Sequence, residues 1–182
     1  MYITIEKIAR ESAVNMPDLI TRSVGRKMFA KISRKIDEAG ENEVIILDFN
    51  KIKVIDPSFV DELLVKIIIN VMESETPKFI KLKNISEIAE INIDWVFKSY
   101  SQYNENKIAV ITENICLNNS FFIGPLDNSE QEIIEFLRVN RSANEGDLAT
   151  HTGLDIMELK TVMKRLNELR VVRIINGIYE AV

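Results

Sequence analysis

Residues 45–64 read Ile-Ile-Leu-Asp-Phe-Asn-Lys-Ile-Lys-Val-Ile-Asp-Pro-Ser-Phe-Val-Asp-Glu-Leu-Leu: an apolar strand, a short crossing, and a sharply marked helix start. This order restricts the fold more than any other part of the chain. Apart from Asp48, residues 44–49 are apolar on both faces, which suits a central strand covered on both sides. Asp56 is placed to cap the helix that follows, and Pro57 falls at its first position, where the missing N–H costs nothing. Ser58 then lies in the first turn. A phosphate on it would meet unpaired backbone N–H groups and the positive end of the helix dipole. Asp61 and Glu62 in the next turn complement the same dipole, and Asp-Pro-Ser-Phe is also a sound helix start with no further role.

Around this core the chain alternates strand and helix. Met1-Tyr2-Ile3-Thr4-Ile5-Glu6 alternates like a strand. Ile20, Val24, Met28, Ile32 and Ile36, widened by Phe29, mark one face of a helix ending near Gly40. A helix over 57–73 presents Phe59, Leu63, Ile67 and Val71, and 78–83 reads as a more exposed strand. A helix over 86–100 is expected to turn Ile88, Ile91, Trp95 and Val96 inward. Alternation of this kind predicts a mostly parallel or mixed sheet with right-handed crossovers. From Asn104 the texture changes. Strands over 108–112 and 115–123, separated by Glu113-Asn114, suggest a hairpin before the break at Gly124-Pro125.

Asp48-Phe49, a short apolar stretch, then Ile55-Asp56-Pro57-Ser58-Phe59-Val60-Asp61-Glu62-Leu63 resembles the STAS-like family, small α/β domains related to bacterial anti-sigma-factor antagonists. Thr21-Arg22-Ser23-Val24-Gly25-Arg26 and Ile80-Lys81-Leu82-Lys83-Asn84 fall where that family has its Ser-Arg helix and a strand ending in Asn, so the likeness covers about 1–103. In the antagonists the motif reads Asp-Ser-Ser-Gly, and its second Ser is phosphorylated by a partner kinase that is also the anti-sigma factor. The resemblance implies that Ser58 is the modifiable position, set among Asp56, Phe59, Asp61 and Glu62, with Phe59 in place of the Gly. It further implies a regulatory protein partner of the kinase or anti-sigma-like ATPase kind.

The last third reads differently. Ser129-Glu130-Gln131-Glu132 forms a candidate capping box before Ile133, Phe136 and Leu137. A short helix through Leu148 and Ala149, a turn at Thr152-Gly153, and a helix capped by Asp155 follow; in that helix Leu159, Val162, Met163, Leu166 and Leu169 face inward. Asn176-Gly177 between two apolar runs is the strongest short hairpin signal. Helix, helix, turn, helix and hairpin in this order is similar to winged-helix regulators over about 127–182. The expected fold class is therefore α/β: a STAS-like mixed sheet with helices over 1–103, a hairpin or linker over 104–126, and a small α+β winged helix-turn-helix domain over 127–182. In such a domain Lys160, Thr161, Lys164 and Arg165 would meet double-stranded DNA, with Arg170 and Arg173 at the hairpin base. Acids outnumber bases in the same stretch, and Asn-Gly gives the wing no basic tip. A protein-assembly role for this domain is the alternative.

Other chemistries are poorly served. With 28 Asp and Glu against 23 Lys and Arg, the net charge of −5 confines any nucleic-acid role to a local patch. His151 is the single histidine and sits beside a turn, the glycines are isolated, and no nucleotide-binding fingerprint is present. Asp48, Asp56, Asp61 and Glu62 are explained by strand and helix ends. Arg22 or Arg26 is expected to pair with Asp61 or Glu62. No catalytic residue, metal or cofactor is expected. The lone Cys116 suits a reducing compartment, and no apolar run approaches the roughly 20 residues that span a bilayer. The sequence thus predicts a cytoplasmic, non-enzymatic regulator, off the membrane and open to homodimer formation.

Overall fold

The chain begins with β1 (Tyr2–Thr4), which runs straight into α1 (Ile5–Glu11). The computed structural model describes residues 1–104, 106–117 and 120–182, which divide into two units, Met1–Pro125 and Leu126–Val182. The N-terminal alternation extends as strand only to Thr4, because Ile5, Ile8 and Ala9 also recur at helical spacing and are buried on one side of α1. A short strand β2 (Asp18–Leu19) precedes α2 (Arg22–Asp37), whose Gly25, Met28, Ile32 and Ile36 are buried. Ile20 lies before that helix and is half exposed, so the inward stripe is one residue shorter than its periodicity suggests.

The apolar run at 44–49 forms β3 (Val44–Asp48), followed by β4 (Val54–Ile55). The marked helix start opens α3 (Pro57–Val60), passes through a π-helical turn at Asp61–Val65 and continues as α4 (Lys66–Glu73). Phe59, Leu63, Ile67 and Val71 are buried as the spacing requires, and Val60, Leu64 and Ile68 are buried beside them. Next come β5 (Phe79–Lys83), α5 (Glu87–Tyr103), β6 (Val110–Thr112) and β7 (Phe122–Ile123). The main sheet has the order β1-β3-β5-β6-β7; neighbours from β1 to β6 are parallel, and β7 closes the edge antiparallel. β2 and β4 form a separate parallel pair.

Two expectations change here. The segment 104–126 does not stand apart as a linker: β6 extends the parallel sheet alongside β5 and β7 pairs with β6, so Ile108, Val110, Cys116 and Ile123 join the first unit's core. Of the strand expected over 115–123, only Phe122 and Ile123 pair, while Asn118 and Asn119 lie outside the described residues. In α5 the buried side is Ala89, Ile93, Val96 and Phe97, whereas Ile88, Ile91 and Trp95 face outward. The helix carries two apolar stripes, and the larger ring lies on the uncovered one.

The second unit runs α6 (Asn128–Asn140), β8 (Ser142–Ala143), α7 (Glu145–Thr152), α8 (Ile156–Glu168), β9 (Val172–Ile175) and β10 (Ile178–Ala181). Its strands form an antiparallel sheet of order β8-β10-β9. The cap of α6 is Asp127, two residues before the Ser129 expected to fill that role; its N–H donates to Glu130 Oε2 at 2.7 Å. Starting there places Ile133, Ile134 and Leu137 inward, together with Glu130 itself. Asp155 caps α8 by accepting from the N–H groups of Met157 and Glu158 at 2.8 and 2.9 Å. Between β9 and β10, Asn176 and Gly177 both hold positive φ, 52° and 77°, as the tight hairpin demands. Among the described residues no helix is long and apolar enough to cross a membrane.

Candidate functional site

Asp56 is the junction of the first unit. Its carboxylate accepts from the N–H of Phe59 at 2.7 Å, closing the first turn of α3, and from the Ser58 hydroxyl at 3.0 and 3.1 Å. Its Oδ2 also accepts from the N–H of Thr21 at 3.2 Å, and its own N–H donates to the Leu19 carbonyl at 3.2 Å. The N-cap therefore also clamps the β2–α2 turn against the helix start. Thr21 has φ of +79°, a strained setting for a β-branched residue, which the bond to Asp56 helps to hold. Ser58 is half-buried, with its hydroxyl turned to Asp56. Phe59 is fully buried, so its ring fills the core and leaves the surface beside Ser58 clear.

The acids and bases of this corner pair as expected. Arg22 Nη1 lies 2.5 Å from Asp61 and 3.4 Å from Glu62, and Arg26 Nε lies 3.0 Å from Glu62, which Lys66 also bonds. Glu62 is almost completely buried beneath these three cations. The bond from Lys66 is the main influence holding its carboxyl below the ordinary value; burial opposes it and Arg26 reinforces it. Asp61 holds the Arg22 guanidinium above its ordinary value in the same way. Gly25 makes this arrangement possible. A Cβ there would stand 2.9 Å from Glu62 Cβ and 3.3 Å from the Phe59 carbonyl oxygen, so α2 approaches the helix start through the space a side chain would fill. Ser58, Arg22 and Asp61 open onto a groove of about 440 Å³ walled by Trp95, Tyr100 and Tyr103 of α5.

Asp48 belongs to a different cluster, at the C-terminal ends of the parallel strands. It accepts from Tyr2 Oη at 2.5 Å, Asn84 Nδ2 at 2.7 Å and the Asn50 N–H at 3.0 Å. Burial works against its ionisation, but these bonds prevail and hold the carboxyl below its ordinary value. The strand-ending Asn84 thus ties β5 to β3. Asp48 does not join Asp56, Asp61 and Glu62 in one acidic site, and among the described residues no group of three or more His, Cys, Asp or Glu is placed to hold a metal ion.

In the second unit, α8 carries Lys160, Thr161, Lys164 and Arg165 on its exposed side. Lys160 lies 3.7 Å from Glu145 and Lys164 3.7 Å from Glu168, both loose surface pairs. Arg165 is more committed: its Nε stands 3.5 Å from Glu130, a carboxylate with no solvent exposure. Arg170 follows α8 at φ of +59°, where burial lowers its guanidinium from the ordinary value. Arg173 pairs across the hairpin with Glu180 at 2.7 Å. The six cations and hydroxyls proposed from the sequence therefore separate into an α8 set and two hairpin-base arginines with structural partners. His151 stacks on Phe136 at 4.2 Å between ring centres.

Comparison with known families places one of these regions. Residues 24–89 match the STAS-like domain of unknown function (DUF4325). The match spans most of α2, β3, the motif around Ser58, β5 and the start of α5, and it covers less than half of the chain. The mixed α/β, parallel-rich sheet of the first unit is consistent with a STAS-like fold. Comparisons with curated proteins and with solved structures find no match. Sequence reasoning missed the Thr21–Asp56 bond, since nothing local links positions 35 residues apart, and the outward stripe of α5.

Proposed function

We propose that this chain is a non-enzymatic, cytoplasmic regulatory protein in which a STAS-like interaction unit acts with a winged helix-turn-helix unit that contacts double-stranded DNA. The observation that carries the DNA reading is the exposed face of α8. That helix is the second of a capped helix-turn-helix pair followed by a hairpin, and Lys160, Thr161 and Lys164 lie along it. Ion pairs at 3.7 Å between exposed side chains contribute little, so phosphates can replace Glu145 and Glu168 as partners of the two lysines. Arg165, resting on buried Glu130, orients α8, while Arg170 and Arg173 stiffen the hairpin base.

The test is binding of labelled duplex DNA by the intact chain. Replacing Lys160 and Lys164 together by Glu is expected to weaken binding at least about tenfold and to flatten its salt dependence by about two phosphate contacts. Replacing Arg173 by Ala is expected to alter stability more than affinity. Unchanged binding by the double variant would remove α8 as the reader. An assembly role remains the second reading, favoured by Met157, which is 75% exposed near the N-terminal end of α8, where a base-reading helix usually presents polar groups.

In the first unit the proposed switch is Ser58, and the proposed partner is a regulatory protein of the kinase or anti-sigma-like ATPase kind. Support comes from a hydroxyl at a helix start that borders an open groove, with Phe59 withdrawn into the core. A phosphate on Ser58 would stand against the Asp56 carboxylate, replacing an attractive hydrogen bond by repulsion and loosening the Thr21 clamp. Ser58→Asp is therefore expected to change affinity for a partner captured by the wild-type chain at least about fivefold, with an unchanged circular dichroism spectrum. Equal affinities for Ser58→Asp and Ser58→Ala would eliminate the switch.

A further inference from the structure

α2 gathers positive charge that the rest of the chain lacks. Its 16 residues carry Arg22, Arg26, Lys27, Lys31, Arg34 and Lys35 against the single acid Asp37, in a chain whose net charge is −5. Arg22 and Arg26 are taken up by Asp61 and Glu62. The other four lie along one flank of the helix, with Lys27, Arg34 and Lys35 exposed and Lys31 half-buried. Among the described residues no carboxylate comes within 4.0 Å of any of these four, and the Lys31 amine donates instead to the Glu11 carbonyl. We propose that this basic flank binds the phosphate backbone of double-stranded DNA. The proposal extends the DNA reading to the first unit and needs no contribution from α8.

The spacing of these cations sets them against one another. Lys27, Lys31 and Lys35 follow at i, i+4 and i+8, and Arg34 stands three residues beyond Lys31, so each of the four has a like charge as a neighbour on the helix surface. Elsewhere the same spacing makes ion pairs: Glu6 with Arg10, Glu62 with Lys66, Asp94 with Lys98 and Lys164 with Glu168. Asp37 and Glu38 at the C-terminal end of α2, and Glu11 next to Lys31, are exposed and do not pair with the row. A like-charge row without relief destabilises the free helix, and an anion laid along it removes that cost.

What the flank lacks selects the anion. Protein interfaces centre on buried apolar and aromatic side chains, and a helix lying on a membrane needs an apolar side to sink into it. None of the large apolar side chains exposed at the surface belongs to α2; beside the row, Ser23 and Ala30 are small and Val24 is half-buried. Binding to a phosphate backbone requires only suitably placed cations. From Lys27 to Lys35 the helix rises about 12 Å, a length over which one DNA strand presents about three or four phosphates.

The test is titration of a labelled mixed-sequence duplex with the intact chain at several salt concentrations, comparing the wild type with the quadruple variant Lys27→Gln, Lys31→Gln, Arg34→Gln, Lys35→Gln. The quadruple variant is expected to bind at least about 30-fold more weakly at low salt and to reduce the slope of log affinity against log salt by about 3. The double variant Lys27→Gln, Lys35→Gln keeps the Lys31 bond to Glu11 and should remove about half of that slope. Thermal midpoints of both variants should be no lower than that of the wild type, because like-charge neighbours have been removed. The same losses are expected in a Lys160→Glu, Lys164→Glu background, which separates the α2 contact from the α8 reading. If α8 alone contacts DNA, the α2 variants keep the wild-type affinity and slope, and the proposal is overturned. It is equally overturned if the wild-type chain does not bind the duplex at low salt. Binding to phosphatidylserine vesicles or to polyglutamate that depends on the four cations, with duplex binding indifferent to them, would also overturn it and assign the flank to a membrane or an acidic protein.

Discussion

Replacing Phe59 by Ala is expected to lower the unfolding free energy by about 3–5 kcal/mol, measured by urea denaturation. The ring is fully buried at the first turn of the helix, where Asp56 holds the Phe59 N–H at 2.7 Å, so truncation leaves a cavity in the core. The result bears on the proposed switch, because Phe59 directly follows Ser58 at the start of the helix. If the ring were an obstacle on a docking surface, removing it would cost little. A core residue predicts the opposite, and Phe59→Gly should cost about 1 kcal/mol more than Phe59→Ala through helix propensity alone. A loss below about 1 kcal/mol for Phe59→Ala would contradict the placement of the ring.

Gly25→Leu is the second large effect, with an expected loss of about 1–3 kcal/mol from overpacking. Even a Cβ at this position would stand 2.9 Å from Glu62 Cβ, and the Phe59 carbonyl blocks the other direction, so a leucine must push α2 away from the helix start. That displacement also separates Arg22 and Arg26 from Glu62, leaving a buried carboxylate with Lys66 as its nearest remaining cation. Gly25→Ala sets the same squeeze against a gain of up to about 1 kcal/mol in helix propensity, and its effect should be correspondingly small. Urea midpoints for the two variants give the comparison. Equal stability of Gly25→Leu and the wild type would mean that the helices do not approach at this point.

The features legible in the sequence are those whose physics is local. Asp56-Pro57 announces a helix start because both residues act within one turn, and Asn176-Gly177 announces a hairpin because both hold positive φ. The Arg22 and Arg26 pairing with Asp61 and Glu62 was legible through charge alone, though Gly25 shows why the approach is so close. Ile88, Ile91 and Trp95 misled because they share helical spacing with Ile93, Val96 and Phe97; periodicity identifies a stripe and does not say which of two stripes meets the sheet. The cap of α6 was misplaced because Asp127 and Ser129 each stand three residues before a Glu, and only burial of Glu130 decides between them. The bond from Thr21 to Asp56 and the docking of β6 and β7 on the main sheet depend on contacts distant in sequence, which no local pattern carries.

The most direct test of the regulatory reading is a fluorescence anisotropy titration of a labelled mixed-sequence duplex with the wild-type chain at low and moderate salt. Binding in the micromolar range that falls steeply as salt rises is expected, the signature of phosphate contacts made by Lys160 and Lys164. Absence of binding at low salt, where such contacts are strongest, would contradict it and leave α8 as a surface for protein assembly.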